Sequence, residues 1–484
     1  MQKKEMDKEI AETVEEDEKT WEVTWGTFGR ELRKEGFIAA PMVAVSVLQY
    51  LLQFVSIIMV GHLDQLSLSS VAIAISLTNV TGFSLLSGMA GGLETLCGQA
   101  FGAGQYHKLG TYTCTAMLSL LLVCPPICVL WIFFDKLLPL VGQDPQISLA
   151  ARKYSVWLIP ALFGGAILKP LTRYLQSQSS IFPMLLSSFA ILLFHILATW
   201  GFVYKVGLGS KGAAIAFSMS TWLYVILLLF YALVSSAFEK TRITFSMESL
   251  LHIRQFFRLA VPSAVMVCLK WWSCELIILL SGLLPNQKLE TSVLSICLAI
   301  STLHFTVSYG FGAAASIRVS NELGANNPQA ARVAVWAAMF LSVTEAIIVS
   351  TTLFFCRHVL GHAFSSEKPV VDYIAVMAPL ICLSVFMDSL QAVLSGIARG
   401  SGWQSIGAYV NLGAFYLVGL PVGVVLGFPL RLRGKGLWIG IVAGSVVQSA
   451  LLALITGFTN WSKQAKRARE RVFVERLSED SEAN

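Results

Sequence analysis

The sequence predicts an all-α polytopic membrane protein with twelve transmembrane helices in two six-helix lobes. Hydrophobic residues make up 55% of the 484 residues and charged residues only 13%, which leaves too few polar groups to cover a water-soluble globule. Spanning segments must be helices or closed barrels, because backbone groups find no water in lipid. The apolar runs are about 20 residues long, which is typical of spanning helices and not of the alternating strands of a barrel.

The apolar runs give twelve predicted spans joined by short connections. They lie near residues 37–60, 67–93, 112–134, 148–175, 183–206, 212–236, 256–284, 290–315, 330–356, 370–397, 405–428 and 436–459. The longest connection follows span six, which divides the chain into an acidic N-terminal tail (1–36), a first lobe (37–236), an inter-lobe loop (237–255), a second lobe (256–459) and a C-terminal tail (460–484). An even number of spans places both termini on one side, and basic clusters in both tails indicate the cytoplasm.

The two halves of the chain share landmarks that indicate an internal repeat. Pro41 precedes Gly61 in span one by the same distance along the chain as Pro262 precedes Gly282 in span seven. The pair Gly102-Ala103 after span two recurs as Gly324-Ala325 after span eight, at nearly the same offset as the two prolines. An even number of spans separates the copies, so the halves run parallel, an arrangement known from transporters.

Ionisable residues inside predicted spans are the first candidates for function, because burying a charge in the membrane is costly. Asp388 has the most polar surroundings, since Ser384, Gln391 and Ser395 are spaced to share one helix face with it. Such a stripe favours a cavity-facing position. The alternative is an interhelical hydrogen-bond network without a role in transport.

Glu275 is the second candidate, because Trp271 lies four residues before it on the same helix face. A carboxyl group beside an aromatic ring is suited to reversible protonation, and the alternative is a structural partner for Lys270 or for another helix. Glu345 in span nine has apolar neighbours in sequence and no polar face. The single span histidines, His195 and His304, are expected to be hydrogen-bonded packing residues, and a proton relay is the alternative.

Pro41 and Pro262 are candidate hinges, because proline removes a helix hydrogen bond; a static kink is the alternative. The chain contains neither a P-loop motif nor an H-E-x-x-H zinc motif, and its short loops supply no catalytic constellation. We therefore expect a protein that is not an enzyme and has no cofactor. The net charge of +6 is dispersed without a basic groove, so we expect no nucleic-acid partner.

Four long motifs occur in order along the chain. They are Gly92–Ala103 after span two, Trp271–Asn286 in span seven, Arg318–Ala325 after span eight, and Asp388–Gln404 in span ten. Together they resemble plant multidrug and toxic compound extrusion (MATE) proteins, the DETOXIFICATION family. The resemblance covers about residues 30–460.

The resemblance implies an antiporter whose two lobes, related by pseudo-two-fold symmetry, rock around a central cavity. In the plant branch, proton entry drives the export of organic compounds such as xenobiotics and secondary metabolites. The family's coupling carboxylates in spans seven and ten fall on Glu275 and Asp388. We expect transported protons as the coupling ion, small organic substrates, a monomer in the lipid bilayer, and a vacuolar or plasma membrane location.

Two departures from the family pattern qualify this expectation. Many relatives carry a second glutamate just before the paired tryptophans, where this chain has Lys270, a change that favours neutral or anionic substrates. An organic-anion exporter of the same fold, for citrate-like compounds, is therefore the alternative function. Bacterial relatives often carry an acid in span one, where this chain has glutamines. The residues expected to line the substrate cavity are Trp271, Ser384, Gln391, Ser395, Asn411, Gln49, Gln53 and Lys270.

Overall fold

The structure, a computed structural model, describes residues 25–140, 142–243, 247–365 and 367–482; for residues 65, 248 and 474–482 it describes only the backbone. These residues fold into helices joined by turns and short loops, and no β-strand occurs among them. The all-α fold predicted from hydropathy is confirmed. Residues 1–24 of the expected acidic N-terminal tail lie outside the described residues.

In the described part of the chain, twelve units long and apolar enough to cross a membrane follow one another, eleven as single helices and one as a bent pair. They are α1 (Trp25–Gly61), α2 (Leu66–Gly102), α3 (Tyr106–Ile132), α4 (Pro145–Trp157 with Ile159–Ser177), α5 (Phe182–Lys205), α6 (Ser210–Val234), α7 (Ile253–Ser281), α8 (Gln287–Gly324), α9 (Pro328–Phe355), α10 (Lys368–Ser401), α11 (Gln404–Gly427) and α12 (Arg433–Gly457). A further helix, α13 (Trp461–Glu482), follows.

Several helices extend beyond the predicted spans. Helix α1 begins at Trp25 and not near residue 37, and α7 begins at Ile253. A helix occupies most of the segment expected to be the C-terminal tail. Apolar runs mark only the part of a helix that crosses lipid, whereas a helix of 37 residues such as α1 is roughly 55 Å long and exceeds the hydrocarbon thickness.

The twelve helices form two lobes, α1–α6 and α7–α12, and the lobes meet at the termini face, the end of the bundle where α1 begins and α12 ends. The last turns of α2 and α8 pack against each other reciprocally. A Cβ on Gly102 would lie 1.9 Å from the Asn321 carbonyl oxygen, and a Cβ on Gly324 would lie 2.1 Å from that of Gln99. Because Gly324 and Asn321 are the repeat counterparts of Gly102 and Gln99, this contact lies on the pseudo-two-fold axis.

The candidate hinge prolines do not interrupt their helices. Pro41 lies inside the continuous helix α1 and Pro262 inside α7. The bend of 47° in the described chain instead separates the two segments of α4, at Leu158. Pro160 lies in the first turn of the second segment, where its missing N–H costs no helix hydrogen bond.

Candidate functional site

The centre of the second lobe contains a buried ion pair between α7 and α10. Lys270 Nζ lies 2.8 Å from Asp388 Oδ1, and both side chains are at most 10% exposed. Lys270 also donates to Gln391 Oε1, one turn after Asp388 on α10. The pair carries no net charge, which removes part of the cost of burying two ions among apolar helices.

An aromatic wall covers the cation of this pair. The Lys270 ammonium lies 4.0 Å from the ring centroid of Phe305 on α8, within cation–π range. Trp271 packs edge-on against the same ring, with centroids 5.6 Å apart. Lys270 is therefore held by a carboxylate, an amide and an aromatic face at once.

The residues of the polar stripe predicted on α10 contact more than one neighbouring helix. Gln391 and Asp388 face Lys270, whereas Ser384 accepts a hydrogen bond of 3.0 Å from Trp438 Nε1 on α12. Ser395 is buried. The stripe thus joins α10 to α12 at Ser384 and to α7 at Asp388 and Gln391.

Glu275 and Asp388 are not brought into contact. Glu275 is half-buried, about one and a half turns beyond Lys270 on α7, and the hydrogen-bonding side chain that faces it is Ser76 on α2. The position on α7 that faces Asp388 is Lys270. Glu275 was alternatively expected to be a partner for Lys270, but the two form no ion pair among the described residues.

The other three amide side chains expected in the cavity, besides Gln391, form hydrogen bonds with neighbouring helices. In the first lobe, Gln49 donates to the Tyr224 hydroxyl at 3.3 Å and Gln53 exchanges hydrogen bonds with Asn79 on α2. Asn411 on α11 is buried, donates to the Met266 carbonyl on α7 and accepts from Gln448 on α12. It ties together three helices of the second lobe.

Glu345, whose sequence neighbours supply no polar face on α9, has polar partners on two other helices. Its Oε1 lies 3.0 Å from His304 Nε2 on α8, and its Oε2 accepts a hydrogen bond of 2.7 Å from Ser389 on α10. Sequence neighbours within α9 could not reveal partners that come from two other helices. By contrast, the ring nitrogens of His195 lie beside hydroxyl groups, those of Ser56 and Ser220.

A second ionic cluster joins the two lobes near the termini face. Glu94 at the end of α2 accepts from Arg399 of α10 at 2.8 Å and lies 3.1 Å from Arg173 Nη1 of α4. Arg173 also donates to the Tyr309 hydroxyl on α8. All three charged side chains are at most 6% exposed. Glu94 and Arg399 both fall in the motifs noted above, but their pairing depends on how the lobes dock.

Known proteins resemble this chain along nearly its whole length. The MatE family profile matches residues 41–200 and 262–425, one segment in each lobe. Protein DETOXIFICATION 8 of Arabidopsis thaliana is 56% identical over 441 residues, 91% of each chain. Protein DETOXIFICATION 3 of the same plant is 54% identical over 451 residues, 93% of this chain and 95% of that relative.

Solved structures agree with these relatives. The crystal structure of the eukaryotic MATE transporter AtDTX14 shares 53% identity and a TM-score of 0.90, over 92% of this chain and 100% of that chain. An outward-facing multidrug resistance MATE family transporter shares the fold at a TM-score of 0.80 and 16% identity, over 92% of this chain and 100% of that chain. With a profile match in both lobes and relatives identical at more than half of the aligned positions, this chain belongs to the MATE family of multi-pass membrane transporters, in its plant DETOXIFICATION branch.

Proposed function

We propose that this chain is a secondary active, proton-coupled antiporter that exports organic compounds by alternating access between its two lobes. The observation that carries the proposal is the Lys270–Asp388 ion pair, buried between α7 and α10 in the membrane interior. Charges at such depth are costly and mark substrate or ion pathways. Relatives of this chain include transporters of the MATE family.

The described interlobe contacts suggest which state is represented. From the termini face they extend at least to Trp272 on α7, which donates to the Val80 carbonyl on α2 at 3.2 Å. If the termini are cytoplasmic, as the basic clusters indicate, the lobes are joined on the cytoplasmic side. This state is the one expected to exchange substrate and protons with the opposite compartment.

Asp388 is proposed to switch partners during transport. In the state described it is bound to Lys270, and a substrate group or a proton must compete with that contact. A ligand drives the conformational change only through its different affinity for the two states. Glu275, half-buried and facing α2 of the other lobe, is the other acid proposed to take up protons.

An organic-anion exporter is a second candidate function, and Lys270 is the observation that favours it. A carboxylate group on a substrate could replace Asp388 as the counterion of the buried ammonium. Competition by citrate against transport of a cationic dye distinguishes the two candidates. Inhibition by citrate that Lys270→Met abolishes supports the anion site, and inhibition that Lys270→Met leaves unchanged contradicts it.

The remaining features of the proposal follow from transport into an acidic compartment. The coupling ion is the proton, no further cofactor is invoked, and the protein acts as a monomer in the bilayer. The vacuolar membrane and the plasma membrane both place the acidic side opposite the cytoplasm. Either location gives the proton gradient the direction that export requires.

The test is uptake of the fluorescent cation ethidium by inside-out vesicles with an acid interior, comparing the wild type with Asp388→Asn. We expect uptake that collapses with a protonophore and is absent in the variant. Serine in place of the exposed Cys356 is the control, because it changes a lipid-facing or solvent-facing position far from the pair in sequence. Uptake that persists with a protonophore would contradict proton coupling.

A further inference from the structure

We propose that the Glu345–His304 pair is a proton-binding site that couples the proton gradient to transport in this chain. The inference rests on the proposed function and adds a further group that takes up a transported proton, besides Asp388 and Glu275. It starts from the Lys270–Asp388 pair. A proton added to Asp388 leaves the buried Lys270 ammonium without its counterion, which costs several kcal/mol unless another anion replaces it.

The Glu345–His304 pair has the geometry of a shared-proton site. Nε2 of His304 and Oε1 of Glu345 are 3.0 Å apart, and the two side chains are 5% and 11% exposed. The other ring nitrogen, Nδ1 of His304, is buried and has no hydrogen-bond partner among the described residues. The imidazole can therefore accept a proton without giving up an existing bond.

The charge balance differs from that of the Lys270–Asp388 pair. With one proton between Nε2 and Oε1 and none on Nδ1, the pair carries a single negative charge, and a second proton taken up at Nδ1 makes it neutral overall. No bond other than N–H or O–H forms or breaks in this step. A neutral and an anionic state of one buried site are what a proton-driven transporter must alternate between.

Within α8 and α9 the other charged residues are 13 or more positions from His304 or Glu345, but the Lys270–Asp388 pair is a near neighbour, because the Lys270 ammonium lies over Phe305, which directly follows His304. The side chain that reaches the pair from α10 is the Ser389 hydroxyl, and its neighbour Asp388 is held by Lys270. Arg318, which pairs with Glu31 of α1, is 14 residues from His304 along α8, roughly 21 Å at the rise of a helix. Among the described residues, His304 and Glu345 lie within ion-pair distance of each other and of no other charged side chain.

Ser389 provides the connection to the transport site. Its hydroxyl donates to Glu345 Oε2 at 2.7 Å and lies 3.1 Å from Ser308 on α8, so three helices meet at this one side chain. Ser389 directly follows Asp388. A change in the protonation of Glu345 alters the hydrogen bond that fixes α10 at the residue next to the Lys270–Asp388 pair.

The first test measures proton binding without any substrate. Infrared difference spectra of the full chain in lipid nanodiscs are recorded between alkaline and acid buffer. We expect carboxyl or imidazole bands that Glu345→Gln and His304→Gln each remove and that Asp388→Asn retains. Bands that persist in both variants, or that vanish in Asp388→Asn, overturn the inference. If Glu345→Gln does not fold, Glu345→Asp takes its place. We then expect the bands to change at a different pH from that of the wild type, and bands that change at the wild-type pH also overturn the inference.

The second test measures coupling in proteoliposomes with ethidium as the probe. For Glu345→Gln and His304→Gln we expect ethidium counterflow to continue while accumulation driven by an acid interior falls about tenfold. His195→Gln is the matched control, since the ring nitrogens of this first-lobe histidine lie beside the Ser56 and Ser220 hydroxyls. Wild-type levels of gradient-driven accumulation in both variants overturn the inference and leave the proposed function standing. Failure of the wild type to accumulate ethidium counts against the proposed function, and the infrared result still decides the inference.

Discussion

Arg399 on α10 donates a hydrogen bond of 2.8 Å from Nε to Oε2 of Glu94 on α2, and so links the two lobes through a buried charge pair. The contact lies near the termini face, where Thr95 also donates to the Arg399 carbonyl oxygen. The proposed alternating access requires these lobes to separate on the same side. The pair is therefore part of the free-energy difference between the two states.

Glu94→Gln is expected to destabilise the state in which the lobes are joined. Glu94 is the shared counterion of Arg173 and Arg399, and its removal leaves two buried guanidinium groups without an anion. Breaking a buried pair of this kind costs about 3–5 kcal/mol. The measurement is the apparent Tm of the purified protein, which should fall.

Asp135→Asn is the matched control for that prediction. Asp135 pairs with Arg152 at 3.6 Å, but the two side chains are 27% and 36% exposed. Partly exposed ion pairs contribute about 0–1 kcal/mol, so the apparent Tm should hardly change. An equal loss of Tm in both variants would show that the buried Glu94 cluster stabilises the protein no more than a partly exposed ion pair does.

Gly102→Ala is expected to open the lobes at the termini face. The added methyl group would meet the Asn321 carbonyl oxygen at 1.9 Å, and backbone cannot move aside as a flexible side chain can. The reporter is maleimide labelling of Ser320→Cys, a fully buried position opposite Gly98, in a Cys356→Ser background. Labelling should increase in Gly102→Ala.

The control for this prediction is Gly36→Ala. Gly36 lies inside α1, and a Cβ there would meet nothing within 4 Å. Alanine in a helix interior is more favourable than glycine by about 0.5–1 kcal/mol, so this variant should be stable and label like the parent. Similar labelling of both glycine variants would refute the steric explanation.

The helices and their repeat could be predicted from sequence because lipid imposes a simple rule on both. Apolar runs long enough to cross a bilayer must form helices, and glycines at Gly102 and Gly324 repeat because the two lobes meet there through backbone. The first and last residues of the helices were predicted less accurately. Helix α1, for example, continues beyond the apolar run into a more polar segment that hydropathy does not mark.

The site was only partly predictable, because its partners come from different helices. The face of α10 that carries Asp388 follows from helical spacing, but the rotation of α7 that turns Lys270 toward Asp388 is set by packing. For the same reason Glu345 could not be matched with His304, although both were recognised as ionisable residues within spans. The pairing of Glu94 with Arg399 also depends on how the lobes dock.

Arg471→Gln is expected to loosen the termini face. This side chain of α13 donates to Gln99 Oε1 on α2 at 3.1 Å and to the Ser401 carbonyl oxygen on α10 at 3.2 Å, and so bridges both lobes. Hydrogen bonds from a charged group contribute about 1.5–3 kcal/mol. Labelling of Ser320→Cys should rise in Arg471→Gln and stay at the parental level in Arg467→Gln, whose side chain is exposed. Unchanged labelling in both would mean that α13 does not hold the lobes together.

The last prediction concerns the coupling between Lys270 and Asp388. Lys270→Met and Asp388→Asn should each lower the unfolding free energy by about 3–5 kcal/mol, because each leaves a buried charge unpaired. The double variant leaves none, so its loss of stability should be smaller than the sum of the two single losses. Apparent Tm values of the four proteins measure this difference.

The same cycle applied to Arg152 and Asp135 is the reference, since that pair is partly exposed and its two losses should add within about 1 kcal/mol. Additive losses at Lys270 and Asp388 would mean that the two charges are not bound to each other in the membrane. A non-additive result would mean that neither charge is free in the resting site. A transported ion or substrate then has to break an existing bond, which makes its affinity depend on the partner it displaces.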